Sequence, residues 1–427
     1  VLALLVLASI ILSLRIWEGL LPPTIPANAS PPRGTFLGPS CDPLDLIMPV
    51  RIIVHRGEES RWVLYAAESL FHHTWQQVLD LLQELGGRSR EFQLEPADLQ
   101  TWQQAQEQPG LELIFDCPLN GQVWSQLLEY GQPLVFDPPI KRMLLSMGPE
   151  PALLFTTEAG DVGARLQLAD HSERWQELME KLAGEELLAY NLLRMDNTPF
   201  GLYLPREDLS YPVLKTEGEA LEPAVVASSF FADLSLTRRI EERDGATIYT
   251  DGRQGLRVWP SGQMEYNAPE LLPGVPLPPH ETFSRAVRFV TQHGGWPLDM
   301  RLAGLTEIES GAGSFYRLVF RGYLQGLPLD YSRLELDRCS RGVAVYRRQL
   351  RIPSYQAGSA ILAVEELEES LLAAVSLDHQ LADLVPGYVL AEESWLLQPR
   401  WLIQTTTGQL LELADLPGGD TSELEAG

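Results

Sequence analysis

Histidine is the side chain here that is best suited to acid–base chemistry or metal binding near neutral pH. The sequence contains His55, His72, His73, His171, His280, His293 and His379. The adjacent pair His72 and His73 would diverge by about 100° on a helix, so the two rings cannot share a metal ion without other ligands. His379 and Asp383 have i, i+4 spacing, but Pro386 soon ends any helix. We therefore interpret His72 and His73 as a surface or partly buried pair and expect no metal ion at His379.

The other reactive residue types do not form a site either. There is no G-x-S-x-G motif, and the glycine-rich stretch 311–314 lacks the lysine of a phosphate-binding loop. The three cysteines, Cys41, Cys117 and Cys339, have no zinc or disulfide spacing. The acidic run Glu365, Glu366, Glu368 and Glu369 fits a solvated helix face. We predict no catalytic residue, no metal ion and no cofactor.

A cluster of arginines is the one basic feature, and it has two interpretations. Its members could occupy alternate outward positions on strands, neutralised by Asp330, Glu335 and Asp337. They could instead form a basic face for an acidic partner. The cluster comprises Arg317, Arg321, Arg333, Arg338, Arg341, Arg347, Arg348 and Arg351.

The overall charge restricts the possible partners. The 427 residues include 58 acidic and only 32 basic side chains, giving a formal charge of −26. This charge argues against non-specific nucleic-acid binding and against docking of the folded part onto an anionic lipid surface. We expect no nucleic-acid partner.

The apolar N-terminal run Val1 to Leu14 predicts a single transmembrane helix over residues 1–21. A bilayer span needs about 20 apolar residues, so we expect this anchor to be truncated at its start. A cleaved signal peptide and a buried core helix are the alternatives. Small residues promote helix association in membranes, and indole rings favour the interface. The candidate partner-binding residues are Ala8, Ser9, Ser13 and Trp17.

The remaining chain divides into a proline-rich stalk and three domains, all expected to be extracytoplasmic. The stalk covers residues 22–45, followed by domains at 46–244, 245–355 and 356–427. Helical spacing predicts helices at 68–85, 121–130, 169–182, 219–236, 282–293 and 361–375. The turn signals Asp251-Gly252 and Ser261-Gly262 predict a three-stranded meander over 246–267.

One helix followed by three strands is expected twice, over 282–351 and 361–413. This pattern predicts that each unit packs a helix on an antiparallel sheet. The fold class is therefore α+β.

The stretch 228–269 resembles the YycH (WalH) family of membrane-anchored regulators of the WalK/WalR two-component system. Gly295-Trp296-Pro297 and the hairpin 324–329 are also similar to that family. The motif residues, which we interpret as structural, are Tyr249, Thr250, Asp251, Gly252, Gly255, Leu256, Glu265 and Tyr266, preceded by Phe230 and Asp233.

The resemblance implies one N-terminal span, three extracytoplasmic domains of which the last two are PepSY-like, and no enzymatic activity. It also implies a complex with a YycI-like membrane protein and a WalK-like sensor histidine kinase, acting in cell-wall homeostasis. Two further hypotheses stay open. The protein could be a stand-alone, membrane-anchored binding or inhibitor-like module, or an enzyme whose site is not recognisable from sequence.

Overall fold

The computed structural model describes residues 37–415 with internal gaps. The gaps are residues 58–59, 88–95, 128–138, 157–161, 168–171, 184–186, 196–197, 217–220, 272–274, 311–312, 366, 368–370, 372–380, 392–393 and 406–407. The predicted anchor and its contact residues Ala8, Ser9, Ser13 and Trp17 lie outside the described residues, as do His171 and His379. In the part that is described, no helix is long and apolar enough to cross a bilayer.

The described residues form an α+β fold built on two largely antiparallel sheets, as predicted. The first sheet contains β1 (Arg51–Arg56), β2 (Arg61–Tyr65), β3 (Pro109–Leu119), β4 (Ile140–Ser146), β5 (Ala152–Thr156), β6 (Val162–Gln167), β7 (Ala189–Met195) and β8 (Thr198–Pro205). Its strand order is β6-β5-β4-β3-β1-β2-β7-β8.

The second sheet is larger and has the order β10-β11-β12-β13-β17-β16-β19-β20-β9-β18. Strand β15 adds to β16 and carries β14, while β21 pairs with β20, and only the β16–β19 pairing is parallel. Its strands are β9 (Leu209–Thr216), β10 (Arg238–Glu241), β11 (Thr247–Thr250), β12 (Gly255–Val258), β13 (Gln263–Asn267), β14 (Asp299–Ser310), β15 (Gly313–Leu324), β16 (Leu327–Cys339), β17 (Gly342–Gln349), β18 (Pro353–Leu362), β19 (Leu381–Ala391), β20 (Leu396–Thr405) and β21 (Leu410–Glu412).

Helices pack on both faces of the first sheet. Trp102 of α2 packs on Leu144 and Leu154, on the same face as Glu112, whereas α1 packs on the opposite face. Helix α1 buries Phe71, Trp75, Val78 and Leu82, the stripe predicted from the sequence, against the first sheet. The α-helices are α1 (Ser69–Gly87), α2 (Leu99–Gln106), α3 (Gly121–Leu127), α4 (Ser172–Ala183), α5 (Pro223–Ala227) and α6 (Pro279–Gln292).

Strand β3 shows how the first sheet separates its two faces. Because side chains alternate along a strand, Leu111, Leu113 and Phe115 point to one face. These three join the core cluster that includes helix α1. The intervening residues Glu112, Ile114 and Asp116 are also buried. Ile114 belongs to a separate cluster shared with the second sheet, so β3 lies between two buried layers.

Helix α6 packs on the second sheet through an aromatic contact. Phe320 of β15 is fully buried, and its ring centroid lies 6.3 Å from that of Phe283 and 5.2 Å from that of Trp296. Trp296 lies in the short connection between α6 and β14, so the end of this helix and the start of that strand are fixed on the same sheet.

The predicted meander is confirmed by strands β11, β12 and β13.

The apolar helix predicted over 219–236 is wrong. Helix α5 is short because the hydroxyls of Ser228 and Ser229 donate to the carbonyls of Val225 and Val226. Strand β10 follows, which the sequence analysis did not predict because RRIE has no apolar alternation.

The helix predicted from residue 361 is wrong at its start. Ile361 and Leu362 belong to β18, where they pair with Ser210 and Leu209 of β9.

The unit over 282–351 contains four strands, since β14 precedes the three that were predicted. Strand β9, from the predicted first domain, pairs with β18 and β20 of the second sheet. The three domain boundaries and the PepSY-like assignment stay predictions.

Replacement of Phe320 by alanine tests the contact between α6 and its sheet. We expect Phe320→Ala to lower the free energy of unfolding by about 3–5 kcal/mol, because it leaves a cavity between Phe283 and Trp296. Chemical denaturation of the purified protein measures this change. The matched control Val275→Ala alters a side chain that is 71% exposed and should cost less than about 0.5 kcal/mol. A loss below about 1 kcal/mol for Phe320→Ala would contradict this packing.

Candidate functional site

The two sheets face each other across a buried layer that contains both apolar and charged side chains. Ile53, Tyr65 and Ile114 of the first sheet belong to the same buried cluster as Leu329 and Tyr388 of the second. Polar groups in such a layer must be hydrogen bonded, because an unpartnered buried charge is costly. The charged residues of this layer are therefore the strongest candidates for a functional role.

The carboxylate of Asp116, on β3, is the first of these charged groups. It accepts hydrogen bonds from Arg321 Nη1 at 2.5 Å, from Tyr323 Oη at 2.8 Å and from Gln404 Nε2 at 3.1 Å. Lys141 Nζ also donates to the backbone carbonyl of Asp116 at 2.6 Å. Three of these four donors belong to strands of the second sheet, so Asp116 connects the two sheets.

In a second contact between the sheets, the first sheet supplies the arginine and the second sheet supplies the carboxylate. Arg51 of β1 forms an ion pair with Asp383 of β19 and donates to the Leu384 carbonyl at 3.2 Å. Arg51, Asp116, Arg321 and Asp383 surround a cavity of about 20 Å³. This volume holds about one water molecule, so the cavity is too small for a substrate.

Glu112 forms the third charged group, and all its contacts are buried. Its carboxylate accepts from Arg142 Nη1 at 2.8 Å, Tyr203 Oη at 2.5 Å and Gln106 Nε2 at 3.0 Å. His55 Nε2 lies 3.2 Å from the same carboxylate. Arg142 also donates to the Ala382 carbonyl at 2.8 Å and so reaches strand β19.

The environment fixes the protonation states in the Glu112 group. Burial raises the pKa of Glu112, but the hydrogen bond from His55 and the charge of Arg142 outweigh it and bring the pKa to about 2. Burial lowers the pKa of His55 despite its hydrogen bond to Glu112. Since Arg142 already balances the Glu112 charge, the ring of His55 is neutral and donates through Nε2. Both carboxylate oxygens accept from donors of the first sheet and α2, and Arg142 alone connects this group to the second sheet, through the Ala382 carbonyl.

The segment that precedes β1 is bound to the second sheet. The backbone N–H groups of Leu37 and Gly38 donate to the Gly294 carbonyl at 2.9 Å and 3.2 Å, and Trp296 N–H donates to the Pro39 carbonyl at 3.0 Å. A Cβ atom on Gly295, which has φ of +77°, would lie 2.0 Å from the Gly38 carbonyl oxygen. Residues 37–39 of the predicted stalk are thus fixed on the α6–β14 junction.

The first interpretation of the arginine cluster holds only in part. Arg317, Arg333 and Arg347 pair with Glu335 or Asp337, or with both, as it predicted. Arg321 pairs with Asp116 instead, and Arg338, Arg348 and Arg351 are buried rather than outward-facing.

Arg317 forms a bidentate pair with Asp337 at 2.7 Å and 2.8 Å, and Arg347 contacts Glu265 and Glu335 at 2.7 Å and 3.1 Å. Arg333 is 63% exposed and lies 3.4 Å from Glu335. A groove of about 930 Å³ beside β14 and β15 is lined by Arg317, Arg321 and Arg333, but also by Asp330. It does not form a basic face.

The family-motif residues build the β11–β12–β13 meander. The side chain of Asp251 accepts from the N–H groups of Arg253 and Gln254 at 2.9 Å and 3.0 Å, and Gly252 has φ of +92°. Thr250 Oγ1 donates to the Gln254 carbonyl at 2.7 Å. Tyr249 and Leu256 are buried under the meander, next to Gly255, and Glu265 pairs with Arg347. Tyr266 donates to Gln254 Oε1 at 2.7 Å.

The histidines are not brought together, and the described residues contain no group of three or more His, Cys, Asp and Glu that could hold a metal ion. The contacts of Glu112, Asp116, Arg51 and Asp383 between the strands were not predicted from the sequence. A signal existed in LELIFD, because two carboxylates stand within a run that is otherwise wholly apolar. Their partners come from distant strands, so no local spacing could identify them.

Removal of the Asp116 charge tests the contact between the sheets. We expect Asp116→Ala to lower the free energy of unfolding by about 3 kcal/mol, because Arg321 and Tyr323 lose their common acceptor. Chemical denaturation measures this loss. Glu281→Ala is the control, since Glu281 pairs with Arg285 on the exposed face of α6, and its cost should stay below about 1 kcal/mol. Equal costs for the two variants would show that Asp116 does not hold the sheets together.

The neutral state of His55 predicts a specific pH dependence. The unfolded chain binds a proton at His55 more tightly than the folded chain, so stability should decrease as pH falls below about 6.5. Glu112 adds a further loss as pH falls from about 4.5 towards its folded pKa of about 2. In His55→Gln, whose amide can still donate to Glu112, the stability difference between pH 7 and pH 5 should shrink by about 1 kcal/mol.

Denaturant titrations at both pH values measure this difference. His73→Gln is the control because His73 is exposed, and this variant should keep the dependence of the unsubstituted protein. An unchanged pH dependence in His55→Gln would mean that His55 is not held neutral.

Comparison with known proteins gives a structural match only. No family model and no curated protein matches the sequence. The crystal structure of YycH from Bacillus subtilis matches with a TM-score of 0.66 at 12% sequence identity, covering 88% of this chain and 98% of that chain. The structure of an uncharacterized protein from Eubacterium rectale reaches a TM-score of only 0.34 at 9% identity, over 49% of this chain and 82% of that chain. The chain therefore has a YycH-like fold.

Proposed function

We propose that this protein is a non-catalytic, membrane-anchored regulator of a WalK-type sensor histidine kinase, acting in cell-wall homeostasis with a YycI-like partner. The observation that carries the proposal is the YycH-like fold, which extends over 98% of the Bacillus subtilis YycH structure. The motif residues from Tyr249 to Tyr266 lie together in one meander, which agrees with the resemblance seen in the sequence.

The geometry of the inter-sheet layer supports a regulatory rather than a catalytic role. The carboxylates of Glu112 and Asp116 have all their donors within the fold, and the cavity beside Asp116 has a volume of only about 20 Å³. Such groups fix the relative position of two sheets, and they are not arranged to react with a substrate. A regulator needs its two sheets held in a defined relative position, so that a displacement of one sheet is transmitted to the other.

The N-terminal segment provides a route for such a displacement. Residues 37–39 are hydrogen bonded at the α6–β14 junction of the second sheet, and residues 51–56 form a central strand of the first. A movement of the predicted anchor would therefore act first on the α6–β14 junction of the second sheet, which lies ahead of β1 along this segment. These contacts support a signal path through residues 37–39, whereas a fully detached stalk would isolate the domains.

The second candidate is a stand-alone binding module, and the groove beside β14 and β15 is the observation that favours it. A volume of about 930 Å³ suits an extended ligand. Its charges are mixed, with Arg317 already paired to Asp337. This gives no preference for an acidic ligand.

Co-purification from membranes distinguishes the two candidates. We expect the full chain to isolate a sensor histidine kinase and a second single-span protein. Because hydroxyl and small side chains mediate helix contact in membranes, Ser9→Leu with Ser13→Leu should reduce kinase recovery by at least about fivefold without reducing membrane insertion. Quantitative immunoblotting of both proteins measures the effect.

The matched control replaces Ile10 and Ile11 by leucine, which keeps the span apolar and leaves both serines in place. This control should recover the kinase normally. Exchange of the entire span for an unrelated one is the harsher test. If kinase output is regulated unchanged after that exchange, coupling occurs through the extracytoplasmic domains and not through the anchor.

A further inference from the structure

Strand β10 is an edge strand whose side chains are all exposed. Among the described strands it pairs only with β11, and its four residues, Arg238 to Glu241, are each exposed. Ile240 is 40% exposed, and nearby Leu236 is 78% exposed. An exposed edge strand offers free backbone donors and acceptors to another strand, so its residues must either prevent or select a partner.

The sequence of this edge is charge-complementary to itself. Residues 238–242 read Arg-Arg-Ile-Glu-Glu, so reversal of the chain direction about Ile240 exchanges each arginine with a glutamate. In an antiparallel pair centred on Ile240, Arg239 would lie opposite Glu241 of the second copy, and Arg238 opposite its Glu242. Opposite charges directly across two strands are favourable, whereas like charges are unfavourable.

The backbone hydrogen bonds permit the same register. Glu242 N–H donates to the Ala246 carbonyl at 2.8 Å, so Glu242 faces β11. Because backbone groups alternate along an antiparallel strand, Arg238 and Ile240 also face β11, while Arg239 and Glu241 face the free edge. In the register centred on Ile240, the outward-facing Arg239 and Glu241 are opposite each other. Each such pair can exchange two backbone hydrogen bonds.

We infer that β10 pairs with β10 of a second copy of this chain, antiparallel and with a two-fold axis through Ile240. The second sheet then continues across the two copies. The side chains of Arg239 and Glu241 from both copies alternate in charge around the axis. Arg239 already contacts Glu241 of its own chain at 3.0 Å, with both side chains more than half exposed. In the dimer each Arg239 lies between two carboxylates. On the other face, Ile240 meets its copy beside Ile248, with which it pairs in β11.

Self-pairing explains the order of the charges better than edge protection does. Scattered lysines or a run of one sign would repel every approaching strand. The order of the charges in β10 repels a parallel copy in register and antiparallel copies displaced by two residues, and it favours the antiparallel register centred on Ile240. The inference concerns self-association and stands independently of the kinase that the protein is proposed to regulate.

A cysteine at the two-fold axis tests the register. Ile240 would form a non-hydrogen-bonded pair with its copy at a Cα separation of about 4.5 Å, within the range that a disulfide needs. We expect full-length Ile240→Cys, carrying Cys41→Ser because Cys41 is only partly buried, to form a covalent dimer under mild oxidation in membranes. Leu236→Cys in the same background is the control. It lies four residues from the axis and should remain uncrosslinked.

A second experiment uses charge reversal and needs no crosslink. Arg239→Glu and Glu241→Arg should each raise the dimer dissociation constant of the detergent-solubilised full chain by about tenfold or more, because each places like charges opposite each other twice. An equimolar mixture of the two variants should dimerise again, since every pair across the axis is then of opposite sign. Sedimentation analysis measures both states. The exposed-site controls Arg253→Glu and Glu207→Arg should dimerise normally.

Recovery in the mixture shows that the single variants are folded, so loss of dimerisation cannot be ascribed to unfolding. The inference is overturned if the mixture stays monomeric or if the single variants dimerise normally. It is also overturned if the Ile240→Cys and Leu236→Cys variants crosslink equally, or if the Ile240→Cys variant crosslinks only to a protein of different mass. The last outcome would identify β10 as the docking edge for another protein's strand.

Discussion

Burial of the Asp116 carboxylate between the two sheets is the constraint on which this architecture depends. A carboxylate in that layer is tolerated only because Arg321, Tyr323 and Gln404 of the second sheet donate to it. The first sheet provides Arg51 for Asp383 in return. Asp116 and Asp383 are thus each paired with an arginine of the other sheet, so each sheet needs the other in one position. Apolar contacts alone would allow the sheets to slide, whereas reciprocal ion pairs select one arrangement.

The second sheet separates charge and aromatic packing by face. Along the line that crosses β12, β13, β17 and β16, Arg257, Glu265, Arg347 and Glu335 follow each other as direct cross-strand neighbours. The adjacent line, on the face towards α6, carries aromatic and apolar residues such as Tyr346. Of the arginines that stand out in the sequence, Arg347 is a member of this ladder, and Arg317 and Arg333 contact its last carboxylate, Glu335. Their positions follow from strand alternation and from the need to balance neighbouring carboxylates.

The sequence predicted those elements whose signals are local. The stripe of Phe71, Trp75 and Val78 identified α1, and Asp251-Gly252 identified the meander, because each pattern lies within a few residues. The inter-sheet site could not be predicted in this way, since Asp116 and Gln404 are 288 residues apart. Strand β10 escaped prediction for a different reason. An exposed edge strand has no buried face and therefore no apolar alternation to read.

The path of the N-terminal segment limits how a signal could pass through this fold. Gly38 and Gly295 approach so closely that a Cβ on either would collide with the backbone opposite, at 2.4 Å and 2.0 Å. The contact therefore requires glycine at both positions, because a side chain at either one would force the two backbone segments apart. Trp296, next in the chain, packs on Phe320 of the second sheet. A force along the segment would be resisted at this point before it reached β1. The junction of α6 and β14 is thus the first point of the folded region on which the proposed anchor would act.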